Sequence, residues 1–218
     1  MHISDGLLPA PVCVVGFAAT GALTLVSLRR TRDRDIPRLA LMTSAFFAAS
    51  LLHVRIGATS VHLLLHGLVG AVVGPLAVIP IAVGVFLQAL LFAHGGITTM
   101  GVNAVVMGIP ALLAGWLVRR WGVRRNSTGG TSGSRAGAAG FLAGTGATIM
   151  SLGLLLLVGL TAGRPFFTAI GAFLVAHAPL AFVEGLVTAA SVTFLARVKP
   201  EVFDAHEAFA CGPAADSV

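Results

Sequence analysis

At 218 residues, 56% of them hydrophobic and 10% charged, with a mean hydropathy of +0.95, the chain lies far outside the soluble norm. Lipid is the solvent that suits it, as one all-α polytopic membrane domain, since the alternating pattern of a membrane barrel is absent. The net charge of +6 raises nucleic acid as a partner, but the placement of the arginines makes it a topological signal and excludes that class.

The chain begins "MHISDGLLPAP", with no basic flank, an acid at Asp5 and a histidine beside the terminal amine. The following apolar run is too long for a cleavable signal, so Met1 is expected to survive, His2 being too bulky a neighbour for its removal. Spans are predicted near 10–28, 39–54, 61–75, 78–93, 102–118, 137–161 and 180–196. Such runs approach the roughly 20 residues that cross about 30 Å of hydrocarbon. Arg29, Arg30, Arg32, Arg34 and Arg38 crowd one loop, Arg119, Arg120, Arg124, Arg125 and Arg135 a second, and Arg197 and Lys199 follow the last run. The positive-inside rule makes these cytoplasmic, the N-terminus external and the C-terminus internal. That parity demands an odd number of crossings, and seven fits.

The third predicted span is short and holds Gly67, Gly70 and Gly74. Residues 165–178, "PFFTAIGAFLVAHA", are apolar, but an eighth crossing would break the parity, which predicts an outer-side re-entrant or interfacial segment. "NSTGGTSGSR" at 126–135 predicts a flexible cytoplasmic linker within 122–136. Residues 1–200 then form a single transmembrane domain, with 201–218 a loose cytoplasmic tail. Cys13 near the outer end of the first span and Cys211 in the tail are too far apart for a disulfide.

The ionisable inventory carries the chemistry. Of seven histidines, the predicted topology brings His2, His53, His62, His66 and His94 to the outer face, with His177 near them and His206 in the tail. A lone histidine at a helix end is usually a hydrogen-bonded interfacial residue, but several on one leaflet point to function. The terminal amine, the next backbone amide nitrogen and the His2 imidazole can close two fused chelate rings on one metal. Three nitrogens in a plane favour a square-planar ion such as Ni(II) or Cu(II), with a fourth corner to fill. His62, in "TSVHLLLHGLVG", is the best candidate for that corner. His66 is predicted one helical turn below it on the same face, at a spacing that also arises from plain interhelical hydrogen bonding. Asp5 reads as a turn or cap residue. His94 and Asn103, flanking "GGITTMGV", read as supports that orient the His2 ring.

"MHISDGLLPAP", "TSVHLLLHGLVG", "LLFAHGGITTMGVNAVVMGIPALL" and "RVKPEV" resemble the CbiM/NikM family, substrate-binding S-components of cobalt and nickel energy-coupling factor (ECF) transporters. The resemblance runs through nearly the whole chain. It implies a seven-span protein of a prokaryotic cell membrane that binds Ni(II) or Co(II) on its outer side through Met1, His2 and His62. It also implies a transmembrane coupling subunit, ATP-hydrolysing subunits and, since the chain lacks an extracytoplasmic extension found in some relatives, a small accessory membrane subunit. Ser4 stands where the family usually has proline, and His66 where an amide or small residue is common.

The residues support a transport component rather than an enzyme. Lys199 is the only lysine, so no G-x-x-x-x-G-K-[ST] phosphate loop is possible, and neither G-x-S-x-G nor H-E-x-x-H occurs. No cofactor is implied beyond the metal carried as substrate. Small-residue pairs Ala18/Ala22, Ala45/Ala49 and Gly70/Gly74 are candidate docking faces for a coupling subunit. Glu184, the only acid within a predicted span, keeps a rival open: a proton-coupled carrier with Glu184 as relay, against a carboxylate that pairs with Arg164 or caps a hydrogen-bond network.

Overall fold

The computed structural model describes residues 2–56, 59–122, 133–162 and 164–204. In chain order these form α1 (Ala10–Leu28), α2 (Ile36–Leu51), β1 (His53–Ile56), β2 (Thr59–His62), α3 (His66–Val73), α4 (Val78–Phe92), α5 (Met100–Leu117), α6 (Gly133–Gly159), α7 (Arg164–Val198) and α8 (Glu201–Asp204). Prolines punctuate the starts: Pro9 caps α1 with Pro11 in its first turn, and Pro37 stands in the first turn of α2, where a missing N–H leaves nothing unbonded.

Among the described residues, four segments are long and apolar enough to cross a membrane: Ala10–Leu28, Met100–Gly122, Gly133–Gly159 and His177–Val198. They occupy different places in the bundle. Only 17% of the α1 window is buried inside the protein, against 67% for Met100–Gly122, so α1 is outer wall and α5 is the centre. Hydrocarbon gives helices no hydrophobic reason to associate, and close packing of small residues must hold them together.

The predicted third span departs most from expectation. Thr59–His62 pairs antiparallel with His53–Ile56, in the register His53↔His62, Val54↔Val61, Arg55↔Ser60 and Ile56↔Thr59. The β-branched Val54, Ile56, Thr59 and Val61 favour this extended backbone, and α2 ends at Leu51 instead of running to residue 54. What remains is α3, eight residues continued by a 3-10 turn at Gly74–Leu76. Every α3 residue but Leu68 is buried, among α2, α5, α6 and α7. It is a plug inside the bundle, too short to span. A Cβ added at Gly70 would lie 1.8 Å from the Ala111 carbonyl oxygen, and one at Gly67 would lie 2.8 Å from the Gly144 Cα. The Gly70/Gly74 face is therefore used within the chain, against α5 and Arg119, and offers nothing to a partner.

Three further expectations change. Residues 165–178 are not a separate segment: they belong to one continuous helix of 35 residues with Pro179 inside it, about 52 Å long at 1.5 Å per residue, which runs on into the last apolar stretch. The predicted linker 122–136 is shorter, since Gly122 ends a π-helical turn after α5 and residues 133–136 open α6; positions 123–132 lie outside the described residues. The tail starts with a docked turn, α8, whose Val202 and Phe203 are buried. Residues 205–218, with His206 and Cys211, lie outside the described residues, and Cys13 is a free thiol.

The bundle has two unlike ends. At one, Ser27 Oγ of α1 donates to the Pro75 carbonyl at 3.3 Å, Arg38 donates to the Val202 carbonyl at 3.2 Å, and Arg119 reaches back over the end of α3. The arginine clusters thus meet at this end. The N-terminal segment, His62 and the loop from Ala93 to Thr99 meet at the other.

Candidate metal centre

The site is built on the N-terminal segment, which two side chains of α5 and its approach hold in place. The Asn103 amide brackets residue 3: its Oδ1 accepts from the Ile3 N–H at 2.9 Å and its Nδ2 donates to the Ile3 carbonyl at 3.1 Å. The Thr99 hydroxyl donates to the same carbonyl at 2.6 Å. Ile3, Thr99 and Asn103 are buried, so these bonds satisfy backbone that would otherwise be stranded.

Asp5 closes the clasp from outside. Its carboxylate accepts from the Ile97 N–H at 3.1 Å, the Thr98 N–H at 2.9 Å and the Thr98 hydroxyl. The Thr98 hydroxyl bond, chief among these, holds the Asp5 pKa below its usual value. A depressed carboxylate contributes its interaction at ordinary pH and loses it as the pH falls through the lowered value. The "HGG" stretch fits this clasp. Ala93 and Gly95 take left-handed backbone, φ 51° and 78°, which turns the chain out of α4. A Cβ at Gly96 would lie 1.9 Å from Asp5 Oδ1. Glycine at 96 makes room for the acid.

This scaffold gathers three imidazoles. The ring centroids of His2 and His62 are 5.3 Å apart, those of His62 and His94 5.9 Å, and those of His2 and His94 6.4 Å, with interplanar angles of 17°, 4° and 14°. Phe92, 6.2 Å from His94 and 5.6 Å from Phe47 between centroids, forms an apolar flank. Both His2 ring nitrogens and His62 Nε2 are buried without a hydrogen-bond partner, while His62 Nδ1 lies 3.0 Å from the Leu63 carbonyl oxygen. That contact fixes the His62 ring with Nδ1–H donating and Nε2 free as a lone pair. Burial above all pulls the His2 pKa well below the usual value and that of His62 down to about 3. Burial thus favours the neutral imidazole, the form that ligates metal. Among the described residues no three His, Cys, Asp or Glu side chains converge to enclose an ion by themselves.

Other candidates stand apart. His66 does not share a helix face with His62, because His62 ends β2 and His66 starts α3; its Nε2 lies 3.0 Å from Ser151 Oγ of α6, an interhelical bond. His53 stands opposite His62 in the strand register. His177 is buried on α7. Met1 lies outside the described residues.

Glu184 caps a hydrogen-bond network, one of the readings the sequence left open, but the sequence did not name its partners. It is fully buried on α7, and its carboxylate accepts from the backbone N–H groups of Leu64 and Leu65, the latter at 3.0 Å to each oxygen. Leu65 caps α3 in the left-handed region at φ 52°, a strained conformation for a leucine. Glu184 fastens this turn, two residues after His62, by accepting from backbone N–H groups at the start of α3 that have no helical partner. No local signal couples residues 120 positions apart; only the lone acid in an apolar run hinted at a partner.

Comparisons with known proteins bear on the family and the fold. Residues 2–202 match the CbiM family, described as a cobalt uptake substrate-specific transmembrane region. The chain is 32% identical to the cobalt transport protein CbiM of Sorangium cellulosum, over 99% of this chain and 100% of that protein. It is 33% identical to the cobalt transport protein CbiM of Geobacter sulfurreducens over 93% of its own length, spanning 61% of that relative. It is 31% identical to the fused nickel transport protein NikMN of Rhodobacter capsulatus over 93% of its length, spanning 63% of that relative. The fold is that of a crystal structure of a transition metal transporter, with a TM-score of 0.66, 22% identity, and 96% of this chain and 99% of that one covered. The chain belongs to the CbiM family, and is a membrane transport component rather than an enzyme.

Proposed function

We propose that this chain is the substrate-binding membrane subunit of an ECF-type importer, capturing Ni(II) or Co(II) at the outer face of a prokaryotic cell membrane. The observation that carries the reading is the histidine cluster: His2 and His62 rings 5.3 Å apart, with both His2 ring nitrogens and His62 Nε2 buried and without a hydrogen-bond partner, under a clasped N-terminal segment. In this reading the ligands are the Met1 amine, the His2 amide nitrogen and imidazole, and His62 Nε2. Only two of these are side chains, which accords with the lack of a three-side-chain site. His94 and Asn103 orient the ring and the segment, Asp5 closes the clasp, and His66 stays with Ser151 as an auxiliary.

The arginine end faces the cytoplasm in this reading, by the positive-inside rule. Energy comes from a transmembrane coupling subunit and ATP-hydrolysing subunits. The name of the Rhodobacter capsulatus relative describes a fused protein, and the matched part is 63% of it, so a counterpart of this chain is covalently joined to a further transport part. That supports partner subunits, the small accessory one included. Glu184, spent on two backbone amides, serves as an anchor, which disfavours the alternative of a proton-coupled carrier.

The test is accumulation of Ni(II) and Co(II) in sealed vesicles. The chain alone is expected to bind metal, hydrolyse no ATP and accumulate nothing; accumulation needs the coupling and ATPase subunits with ATP. Accumulation by the chain alone under an imposed proton gradient, abolished in Glu184→Gln, would replace the importer reading with the carrier.

A further inference from the structure

The arginine end holds a feature that metal capture does not use. A cavity of about 420 Å³ is lined by Pro75, Leu112, Trp116, Arg119 and Arg120. A second, of about 280 Å³, lies between α5 and α6 and is lined by apolar side chains including Leu113, Leu117, Leu142 and Met150. Trp116 lines both. One space is therefore cationic and the next apolar, with an indole between them.

The charge of the first space is not cancelled. The Arg119 guanidinium donates to the carbonyls of Gly115 at 3.0 Å, Val72 at 3.3 Å and Gly70 at 3.4 Å, neutral acceptors that fix the group and leave its charge in place. Arg120 follows it, exposed. The bond from Ser27 to the Pro75 carbonyl brings the end of α1, with Arg29 and Arg30 after it, to the same rim. Both tryptophans of the chain are here, Trp116 58% and Trp121 61% exposed, the placement favoured at the level of lipid headgroups. Basic pockets between membrane helices at the cytoplasmic side suit anionic headgroups.

We propose that these two cavities, which share Trp116 as a wall, form a binding site for an anionic diacyl phospholipid, its phosphate against Arg119 and Arg120 and one acyl chain past Trp116 into the groove between α5 and α6. The proposal rests on the membrane orientation above and is independent of the metal ligands. The lipid would tie α5 to α6 and screen the arginines that cap α3.

The test is native mass spectrometry of the full chain from neutral detergent, after exposure to equal amounts of phosphatidylglycerol and phosphatidylcholine with identical acyl chains. One phosphatidylglycerol is expected to be retained in preference. Arg120→Gln should lower that retention about fivefold, the worth of one basic residue near an anionic surface, and Trp116→Ala should lower it too. Arg34→Gln, which removes the same charge from the same end away from the cavity, should leave it unchanged. Arg119→Gln is avoided because Arg119 also holds α3. Equal retention of both lipids, or equal loss in Arg34→Gln and Arg120→Gln, would overturn the site. So would Trp116 buried by an added coupling subunit in a chain that retains no lipid, which would assign the surface to that subunit.

Discussion

The two ends of the bundle use their buried side chains differently. At the arginine end, Arg119 spends donors on three backbone carbonyls around the end of α3. At the histidine end, the two ring nitrogens of His2 and Nε2 of His62 are buried and spent on nothing, although Asn103, Thr99 and Asp5 bond the backbone beside them. A buried polar atom without a partner is costly. In the proposed function, the three open imidazole nitrogens beside a fully bonded backbone segment await the metal.

Substitutions should separate the two. Arg119→Ala should have the largest effect on stability: losing charge-assisted bonds to buried carbonyls costs on the order of 3 kcal/mol. Thermal unfolding in detergent should fall by several degrees while metal affinity per folded molecule holds; equal loss of affinity would mean that the two ends are not separate. His2→Ala and His62→Ala should do the reverse, lowering Ni(II) and Co(II) affinity at least about tenfold, or ~1.4 kcal/mol, with unfolding nearly unchanged in the absence of metal. Calorimetric titration beside a melt reads both.

Asn103→Ala comes next. It removes both side-chain bonds to Ile3 and should cost about tenfold in affinity, as the loss of support behind a metal ligand commonly does, although Asn103 touches no metal in this account. Asp5→Ala should cost least, a few-fold, because its clasp is exposed and water replaces part of it. In the native protein the Asp5 contribution should persist throughout the neutral range and fade only in acid, below the ordinary carboxylate range. A loss between pH 6 and 7 would assign the pH dependence to another group.

The sequence made some of this legible. Helices α1, α4, α5 and α6 stand close to where apolar runs and prolines placed them, because each segment's hydropathy is a local property. The third span misled, since "TSVHLLLHGLVG" is as apolar as a span. Its first residues pair with a strand, and its glycines bury an eight-residue helix. Alternating β-branched residues on both sides of Gly57 were the signal available for that hairpin. Asp5 read correctly as a turn residue, but its partners at 97 and 98 could not be named, and Glu184 gave no hint of Leu64 and Leu65. Contacts across 90 to 120 residues are products of packing, which one sequence does not display.

The central claim is that the metal is held by the terminal amine, His2 and His62 together. The most direct measurement is a Ni(II) titration of the protein beginning at Met1, beside the same protein with one extra residue before it, both in detergent and both shown to be folded. An added residue turns the Met1 amine into an amide, a far poorer donor, so the account predicts at least about a tenfold loss of affinity in the extended protein. Equal affinity in the two proteins would contradict it, and the site would have to be rebuilt from His53, His62, His66 and His94 without the chain's first nitrogen.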